Sequence, residues 1–353
     1  MRCLVCRGKI KFRLPASPFP SMLVLGVETS CDDTAAAVLR DGRTLLSNVV
    51  SSQDQVHSPY GGIVPELASR QHIRNILPII DAALRQSGAS LKDLDGIAVT
   101  YGPGLVGSLL VGLSTVKGLS FGCGIPYVGV NHLEAHLLAI HLEHEVSFPY
   151  IALLASGGHT LLYCVREVGE YVYLGGTRDD AAGEAYDKVA KMMGLGYPGG
   201  RAIDDLARRG NRAAIEFPRA RLNQSTYDFS FSGLKTAVWQ YLKSQATEQW
   251  RNHMADIAAS FQEAAVDMLV NPTVTAASAH AVDRIVLAGG VAANSRLREK
   301  MKQKGEMEGL KIYFPAPKFC TDNGAMIALA GYHLLKRGRR DDFRLNANPA
   351  LTL

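Results

Sequence analysis

The segment LVLGVETSCDDTAAAVL, residues 23–39, decides the fold, together with a second segment of the same design, YIALLASGGHTLLYCV, at residues 150–165. Each contains an apolar stretch, a short polar turn and a second apolar stretch, a pattern typical of two antiparallel β-strands. A third strand is expected after each, at Thr44–Val50 and at Tyr171–Leu174. The repetition predicts two related halves, each beginning with a three-stranded meander.

Both halves then contain a strand, a glycine turn and a helix. In the first half, the apolar stretch Ile97–Thr100 leads through a glycine turn into a small-residue helix at 105–121. In the second half, Ile285–Ala288 leads through Gly289-Gly290 into a helix at 292–303. This order predicts an α/β protein of two lobes whose turns face one cleft, because ligands collect at the carboxyl ends of strands.

The length of 353 residues and the 47% of hydrophobic residues allow a large core. We predict a first lobe at 22–145, a second lobe at 146–335 and a basic C-terminal tail at 336–353. Residues 1–21 are a disordered tail or follow from a mis-called start, and a transit peptide is the less favoured interpretation. They contain five Lys and Arg residues and no acid, and removing them cancels the net charge of +5. Overall charge therefore gives no evidence for nucleic-acid binding.

Six cysteines are scattered through the chain, which is typical of a reduced intracellular protein. We therefore predict a cytoplasmic protein, with a mitochondrial location less favoured. No stretch of about 18 residues is free of both charge and helix breakers, so the sequence predicts no membrane association.

The densest chemical signal is the segment NHLEAH at 131–136. His132 and His136 are four residues apart, which places both imidazoles on one face of a helix. An isolated pair with this spacing is more often a surface or capping pair. Leu133 follows the first histidine, so the metalloprotease pattern HExxH is absent, and Glu134 is expected to point away from the ligand side.

A third ligand is available in the segment CTDNG at 320–324, where a loop enters the last helix. Asp322 could cap that helix. As a ligand it would complete a set of two histidines and one carboxylate with His132 and His136, which suits ferrous iron and also accepts zinc.

Three glycine turns indicate a nucleotide pocket. They are Ser156-Gly157-Gly158, Gly199-Gly200 and Gly289-Gly290, and their amides could approach phosphate oxygens. Asp187 and Asp204 could accept hydrogen bonds from ribose hydroxyls. The acidic turn Glu28–Asp33 is either solvated or positions a substrate or cation.

Taken together, these residues resemble the TsaD family of tRNA threonylcarbamoyladenosine synthases, in its bacterial and organellar branch. The resemblance covers about residues 22–335. The matching motifs are Gly26–Asp32, Tyr60–Arg70, Gly102–Leu105, His132–His136, Ser156–Thr160, Asp180–Lys188, Phe229–Lys235, Ala288–Val291 and Cys320–Gly324.

The resemblance implies a duplicated actin-like, sugar-kinase-like (ASKHA, ribonuclease H-like) fold with two lobes around a nucleotide cleft. It implies transfer of a threonylcarbamoyl group from L-threonylcarbamoyladenylate to N6 of the adenosine at tRNA position 37, in tRNAs that read codons beginning with A, with release of AMP. It implies one divalent metal, Fe²⁺ with zinc as the alternative, on His132, His136 and Asp322. The residues implied to hold the adenylate or nucleotide are Leu154, Ala155, Ser156, Gly157, Gly158, Asp187, Gly200, Asp204 and Asn294.

The resemblance also implies partners: a TsaB-like paralogue, a TsaE-like ATPase, and a TsaC-type synthase that supplies the adenylate. No side chain is nominated as a general base. Three other functions remain open from the residues alone. They are a small-molecule kinase or ATPase of the same fold, a metalloprotease, and a scaffold that binds tRNA without chemistry.

Overall fold

A computed structural model describes residues 21–220, 226–245 and 247–353, so nearly all of the predicted segment 1–21 lies outside the described residues. The strands are β1 Leu23–Glu28, β2 Thr34–Arg40, β3 Thr44–Ser51, β4 Gly96–Gly102, β5 Tyr127–Asn131, β6 Tyr150–Ala155, β7 Thr160–Glu167, β8 Glu170–Gly176, β9 Arg284–Ala288 and β10 Lys311–Tyr313. The helices are α1 Asp54–His57, α2 Pro65–Ser87, α3 Val106–Cys123, α4 His132–Leu138, α5 Ala182–Met192, α6 Gly199–Ala207, α7 Ser232–Ser244, α8 Thr247–Asn252, α9 Met254–Ala279, α10 Ser295–Glu308, α11 Pro317–Cys320 and α12 Gly324–Lys336.

The two halves contain five-stranded sheets with the same topology. The first has the order β3-β2-β1-β4-β5, and the second, read from its other edge, has the order β8-β7-β6-β9-β10. In each sheet the first two strands pair antiparallel, and the fourth strand joins the first in parallel. The predicted duplicated α/β fold is therefore confirmed.

Side-chain alternation along β1 shows how the first sheet is covered on both faces. Leu25 and Val27 pack with apolar residues of α2 and α3, whereas Val24 packs with residues of α12 on the opposite face. Successive strand residues point to opposite faces, so one buried strand contributes to two apolar layers.

Helix α12 packs against β1, β2 and β4 of the first sheet, although the predicted boundary at 335 placed this helix in the second lobe. The contact is close because β1 has Gly26 at the crossing point. A Cβ atom added there would lie 2.3 Å from the backbone nitrogen of Ala328 and from the carbonyl oxygen of Gly324. The start of α12, and with it Asp322, is thereby held beside the first sheet.

Helix α4 lies between the two sheets, and all seven of its residues are buried. Ala135 and Leu138 pack with residues of α12 and the first sheet. Leu133 and Leu137 pack with residues of β6 and β9 in the second sheet. The predicted histidine helix is therefore at the junction of the two lobes.

Helix α2 continues through Pro78, which is on its solvent-exposed side. There, water can bind the carbonyl group that proline leaves without a partner. Helix α3 is long and apolar enough to cross a membrane, yet it packs against α2 and β4. One such helix is weak evidence for a membrane span, because core helices of soluble proteins have the same properties.

Residues 336–353 were predicted as a basic tail. Lys336 is the last residue of α12, and the residues after it run back over the first lobe, where the amide of Asp341 donates a hydrogen bond to the carbonyl of Tyr127 and the amide of Asn348 donates one to the carbonyl of Tyr101.

Candidate metal centre and nucleotide cleft

The histidine helix begins immediately after β5 because Asn131 caps it. The Asn131 Oδ1 atom accepts hydrogen bonds from the backbone amides of Leu133, at 2.8 Å, and Glu134, at 3.4 Å. Asparagine is among the preferred residues at this position, since its oxygen satisfies amides that have no partner within the helix. The cap fixes the helix start at His132 and so sets the direction of both histidine rings.

His132, His136 and Asp322 converge. The Oδ1 atom of Asp322 is 3.0 Å from Nε2 of His136 and 3.6 Å from Nε2 of His132. One potential ligand atom from each residue lies within 4.8 Å of the other two. The structure thus brings together the three residues predicted as metal ligands. His136 and Asp322 are 186 residues apart in the chain.

The residue that caps α12 is Asn323 and not its neighbour Asp322, for which this role was considered. Asn323 is the residue before α12, and its Oδ1 atom accepts a hydrogen bond from the amide of Met326 at 3.0 Å. Asp322 is therefore free to turn towards the histidines.

Glu28 orients His132. Its Oε2 atom is 3.0 Å from Nδ1 of His132 and accepts a hydrogen bond from the Thr100 hydroxyl at 2.7 Å. The Ser30 hydroxyl also contacts Nδ1 of His132, at 3.1 Å. A carboxylate on the far nitrogen is the usual support of a metal-binding histidine, because it fixes the ring and leaves the other nitrogen for the metal.

The donor set fits a divalent ion. Ligand atoms about 2.1 Å from a metal are roughly 3–3.5 Å apart, and the observed separations of Asp322 from the two rings are in this range or close to it. Two imidazoles and a carboxylate suit ferrous iron, and zinc accepts the same ligands. His136 differs from His132 in one respect: its Nδ1 atom is buried without a hydrogen-bond partner. The position of its ring therefore depends on α4 itself.

Charges in the cluster stabilise one another. Burial disfavours the charged form of His132, but Asp322 and Glu28 outweigh this effect and raise the pKa of His132 to about 9. Burial would raise the pKa of Asp322, but the two histidines hold it at about 2. The pKa of His159 is lowered to about 4 by burial and by the charges of His132 and His136.

The acidic turn after β1 also approaches the cluster. Burial and the charge of Asp322 raise the pKa of Asp32 to about 6 and that of Asp33 to about 8. Burial and the neighbouring Asp32 raise the pKa of the Cys31 thiol, so Cys31 is not an activated nucleophile. A fully solvated turn does not account for these shifts.

Asp33 gives a pH-dependent prediction about stability. Its pKa is near 3.8 when unfolded and about 8 when folded, so the folded state holds the extra proton and stability falls as pH rises from about 4 to about 8. In protein treated with a chelator, Asp33→Asn should stabilise the fold more at pH 8.5 than at pH 5, by on the order of 1–2 kcal/mol. Urea unfolding of both proteins at the two pH values measures this. An equal effect of the substitution at both pH values would contradict it.

The first glycine turn predicted to bind a nucleotide joins β6 to β7. The Ser156 amide donates a hydrogen bond to the carbonyl of His159 at 2.7 Å, while Gly157 and Gly158 are exposed. A Cβ atom on Gly289, whose φ is +83°, would lie 2.4 Å from the carbonyl oxygen of Ala155. The turns after β6 and β9 are therefore in backbone contact. Leu154 and Ala155 are buried in β6, so only their backbone could meet a ligand.

The polar residues predicted for the nucleotide lie on neighbouring helices and already have protein partners. The Asp187 carboxylate accepts hydrogen bonds from the amides of Gly199, at 2.7 Å, and Gly200 at the start of α6. Asp204 accepts from the Ser295 hydroxyl at 2.8 Å. Asn294 caps α10 and donates to Gln262 at 2.7 Å. Their role in binding a nucleotide stays a prediction.

Sequence reasoning missed the support that Glu28 gives to His132, because it placed Glu28 in the turn. The structure places Glu28 at the end of β1, fully buried. The alternation of side chains along β1 could have predicted this position. Val24 and Gly26 face α12, and Glu28, two residues further on, points to the same face of the sheet.

Solved structures with the same architecture support the fold assignment. HypF in its phosphate- and nucleotide-bound form aligns with a TM-score of 0.59 at 14% identity, over 90% of this chain and 56% of that chain. Component A of (R)-2-hydroxyglutaryl-CoA dehydratase from Acidaminococcus fermentans aligns with a TM-score of 0.52 at 15% identity, over 90% and 99% of the two chains. Fold and site together define the class: a duplicated, two-lobed ASKHA protein with two histidines and a carboxylate at the junction of its lobes.

Closer comparisons identify the family. Residues 44–329 match the family described as TsaD, tRNA N6-adenosine threonylcarbamoyltransferase. The protein of that name from Geotalea uraniireducens is 52% identical over 94% of this chain and 97% of its own length. The one from Syntrophus aciditrophicus is 53% identical over 92% and 96%. The chain belongs to the TsaD family.

Proposed function

We propose that this chain transfers the threonylcarbamoyl group from L-threonylcarbamoyladenylate to N6 of the adenosine at tRNA position 37, in tRNAs that read codons beginning with A, and releases AMP. The product is threonylcarbamoyladenosine, t6A. The observation that carries the proposal is the convergence of His132, His136 and Asp322 between the lobes of a chain about half identical to named tRNA N6-adenosine threonylcarbamoyltransferases.

The alternative functions have less support. The comparisons do not favour a small-molecule kinase or ATPase. A metalloprotease would need a base beside the metal, but the Glu134 carboxylate accepts a hydrogen bond from the Tyr171 hydroxyl at 2.8 Å. Glu134 is therefore bonded to Tyr171, whereas the base of a protease must be within hydrogen-bond reach of the proton that it removes.

The chemistry requires an activated acyl group. The N6 amine of adenine is a poor nucleophile, because its lone pair is delocalised into the ring, and a mixed carbamic–phosphoric anhydride supplies the activation. A divalent ion held by His132, His136 and Asp322 would supply Lewis-acid stabilisation of acyl or phosphate oxygens. The exposed backbone of Gly157 and Gly158 is free to donate amides to the adenylate phosphate. Alignment of amine and carbonyl in the cleft contributes roughly 7–11 kcal/mol at best.

The metal we propose is Fe²⁺, with zinc as the second possibility. The support is the ligand set, two imidazole nitrogens and one carboxylate oxygen, together with Glu28 behind His132. Thiolate ligands, which are typical of copper, zinc and iron–sulfur sites, are absent from the cluster among the described residues.

We propose that the chain acts with a TsaB-like paralogue and a TsaE-like ATPase, and that a TsaC-type synthase supplies the adenylate. An apolar surface on two packed helices supports a protein partner. Ile73 and Leu77 on α2 are 64% and 58% exposed, and Val106 and Leu110 on α3 are 53% and 41% exposed. Exposed apolar side chains grouped in this way are typical of interaction sites.

We place the protein in the cytoplasm. The four cysteines in the described part of the chain, Cys31, Cys123, Cys164 and Cys320, are all free thiols, which supports a reducing compartment.

Mass spectrometry of nucleosides tests the function. The metal-loaded protein is incubated with L-threonylcarbamoyladenylate and a tRNA that reads codons beginning with A, with and without the paralogue and the ATPase. We expect t6A at position 37 and one AMP per modified tRNA, with the highest yield when the partners are present. A tRNA that reads codons beginning with another base is the matched control. The absence of t6A in every reaction, together with sugar-dependent ATP consumption without tRNA, would favour the kinase.

A further inference from the structure

We propose that residues 341–353, which we name the C-terminal strap, position helix α4 and thereby the two histidines of the metal centre. The inference rests on the metal site proposed above and concerns how that site is held in place. Its basis is a chain of hydrogen bonds that runs from the strap to the first residues of α4.

The strap first follows β5, the edge strand that leads into α4. The amide of Asp341 donates to the carbonyl of Tyr127 at 3.0 Å, and the Asp341 carboxylate accepts from the amide of Gly129 at 2.7 Å. Lys117 on α3 donates to the carbonyl of Phe343 at 2.8 Å. These bonds fix the path of the strap along the strand.

The end of the strap reaches the polar turns around the metal centre. The amide of Asn348 donates to the carbonyl of Tyr101 at 2.8 Å, and the carbonyl of Pro349 accepts from the amide of Gly104 at 3.3 Å. The carbonyl of Thr352 accepts from Nδ2 of Asn131 at 3.1 Å. The approach is close, because a Cβ atom on Gly102 would lie 2.1 Å from the carbonyl oxygen of Asn348.

The contact with Asn131 is the direct link to the histidines. Oδ1 of Asn131 caps α4, while its Nδ2 atom is held by the strap. The side-chain amide is planar, so the bond to Thr352 fixes the direction in which Oδ1 meets the amides of the helix. His136 has no hydrogen bond at Nδ1, so apart from the contact of its Nε2 atom with Asp322 its position depends on the helix start that Asn131 defines.

A second link reaches His132. The amide of Leu105, in the turn that the strap contacts, donates to the carbonyl of Ser30 at 2.8 Å. The hydroxyl of Ser30 lies 3.1 Å from Nδ1 of His132. The strap thus reaches His136 through Asn131, and it reaches His132 indirectly, through the turn at Gly104 and Leu105 and then Ser30. The simpler interpretation is that the strap only covers apolar surface, since Leu353 packs against the apolar cluster that contains Leu133 and Tyr150.

Asn131→Asp separates the two interpretations in the full-length protein. Aspartate keeps the oxygen that caps α4 but has no hydrogen to donate to the carbonyl of Thr352. Deletion of residues 348–353 removes the same bond from the other side, together with the bonds of Asn348 to Tyr101 and of Pro349 to Gly104. Asn346→Asp is the matched control, because Asn346 is exposed and its oxygen accepts only from the adjacent amide of Ala347.

The measurement is Co²⁺ titration of chelator-treated protein, read from the visible absorption of the bound ion, with circular dichroism to check the fold. We expect Asn131→Asp and the deletion each to weaken Co²⁺ binding by about tenfold, at the lower end of the range for residues behind metal ligands, and to alter the absorption spectrum. The two changes together should be no worse than the deletion alone, since the deletion already removes the bond that Asn131→Asp removes. Asn346→Asp should bind like the unmodified protein.

Unchanged Co²⁺ affinity and spectrum in Asn131→Asp would overturn the inference, and so would unfolding of this variant, which would assign the bond to folding alone. If the deletion variant does not fold, Asn131→Asp decides. Failure of the unmodified protein to bind Co²⁺ at all would instead refute the metal site, so the two failures are distinguishable.

Discussion

Replacing His136 or Asp322 with alanine is expected to lower the rate of t6A formation by on the order of a thousandfold or more, with the fold intact. Each substitution removes one of three converging ligands, and two ligands do not hold a divalent ion in a defined geometry. The measurements are the initial rate of t6A formation by nucleoside mass spectrometry and the metal content of the purified protein. Circular dichroism reports the fold.

His144→Ala is the matched control, because His144 is an exposed histidine outside the ligand cluster. It should keep both metal and activity. Near-normal modification of tRNA by a metal-free His136→Ala, Asp322→Ala double variant would refute the role assigned to the cluster.

Gly26→Ala is expected to reduce the free energy of unfolding by about 2–3 kcal/mol. The added methyl group would lie 2.3 Å from backbone atoms of α12, and backbone cannot move aside as a flexible side chain can. Displacement of α12 should also shift Asp322 and weaken metal binding. Urea unfolding measures the first effect and Co²⁺ titration the second.

Gly118→Ala provides the matched control within α3. No atom lies within 4 Å of a Cβ at this position, and alanine is the better helix former, so this variant should gain about 0.5–1 kcal/mol. Equal stabilities of Gly26→Ala and the unmodified protein would show that α12 has more freedom against β1 than the structure indicates.

Much of the fold could be predicted from local patterns. The meanders beginning at Leu23 and Tyr150 follow from alternation and turn residues, which act over a few positions. The histidine pair follows from helical spacing.

The sequence suggests that Asp322 meets the two histidines, but the spacing of the motifs does not require this meeting. It depends on α12 crossing back to the first sheet, which in turn depends on the close approach at Gly26. Asp322 is also available as a ligand only because the next residue, Asn323, caps α12 in its place. Tertiary packing over nearly 200 residues determines both, and no local pattern contains it.

The shared strand order of the two sheets has a consequence for the origin of the ligand set. His132 and His136 follow the fifth strand of the first sheet, and Asp322 lies in the segment after the fifth strand of the second. The two segments therefore have equivalent positions in the two sheets, one with imidazoles and the other with a carboxylate. Each lobe contributes to the cluster from the same point of its topology, so residues distant in the chain are neighbours in the fold.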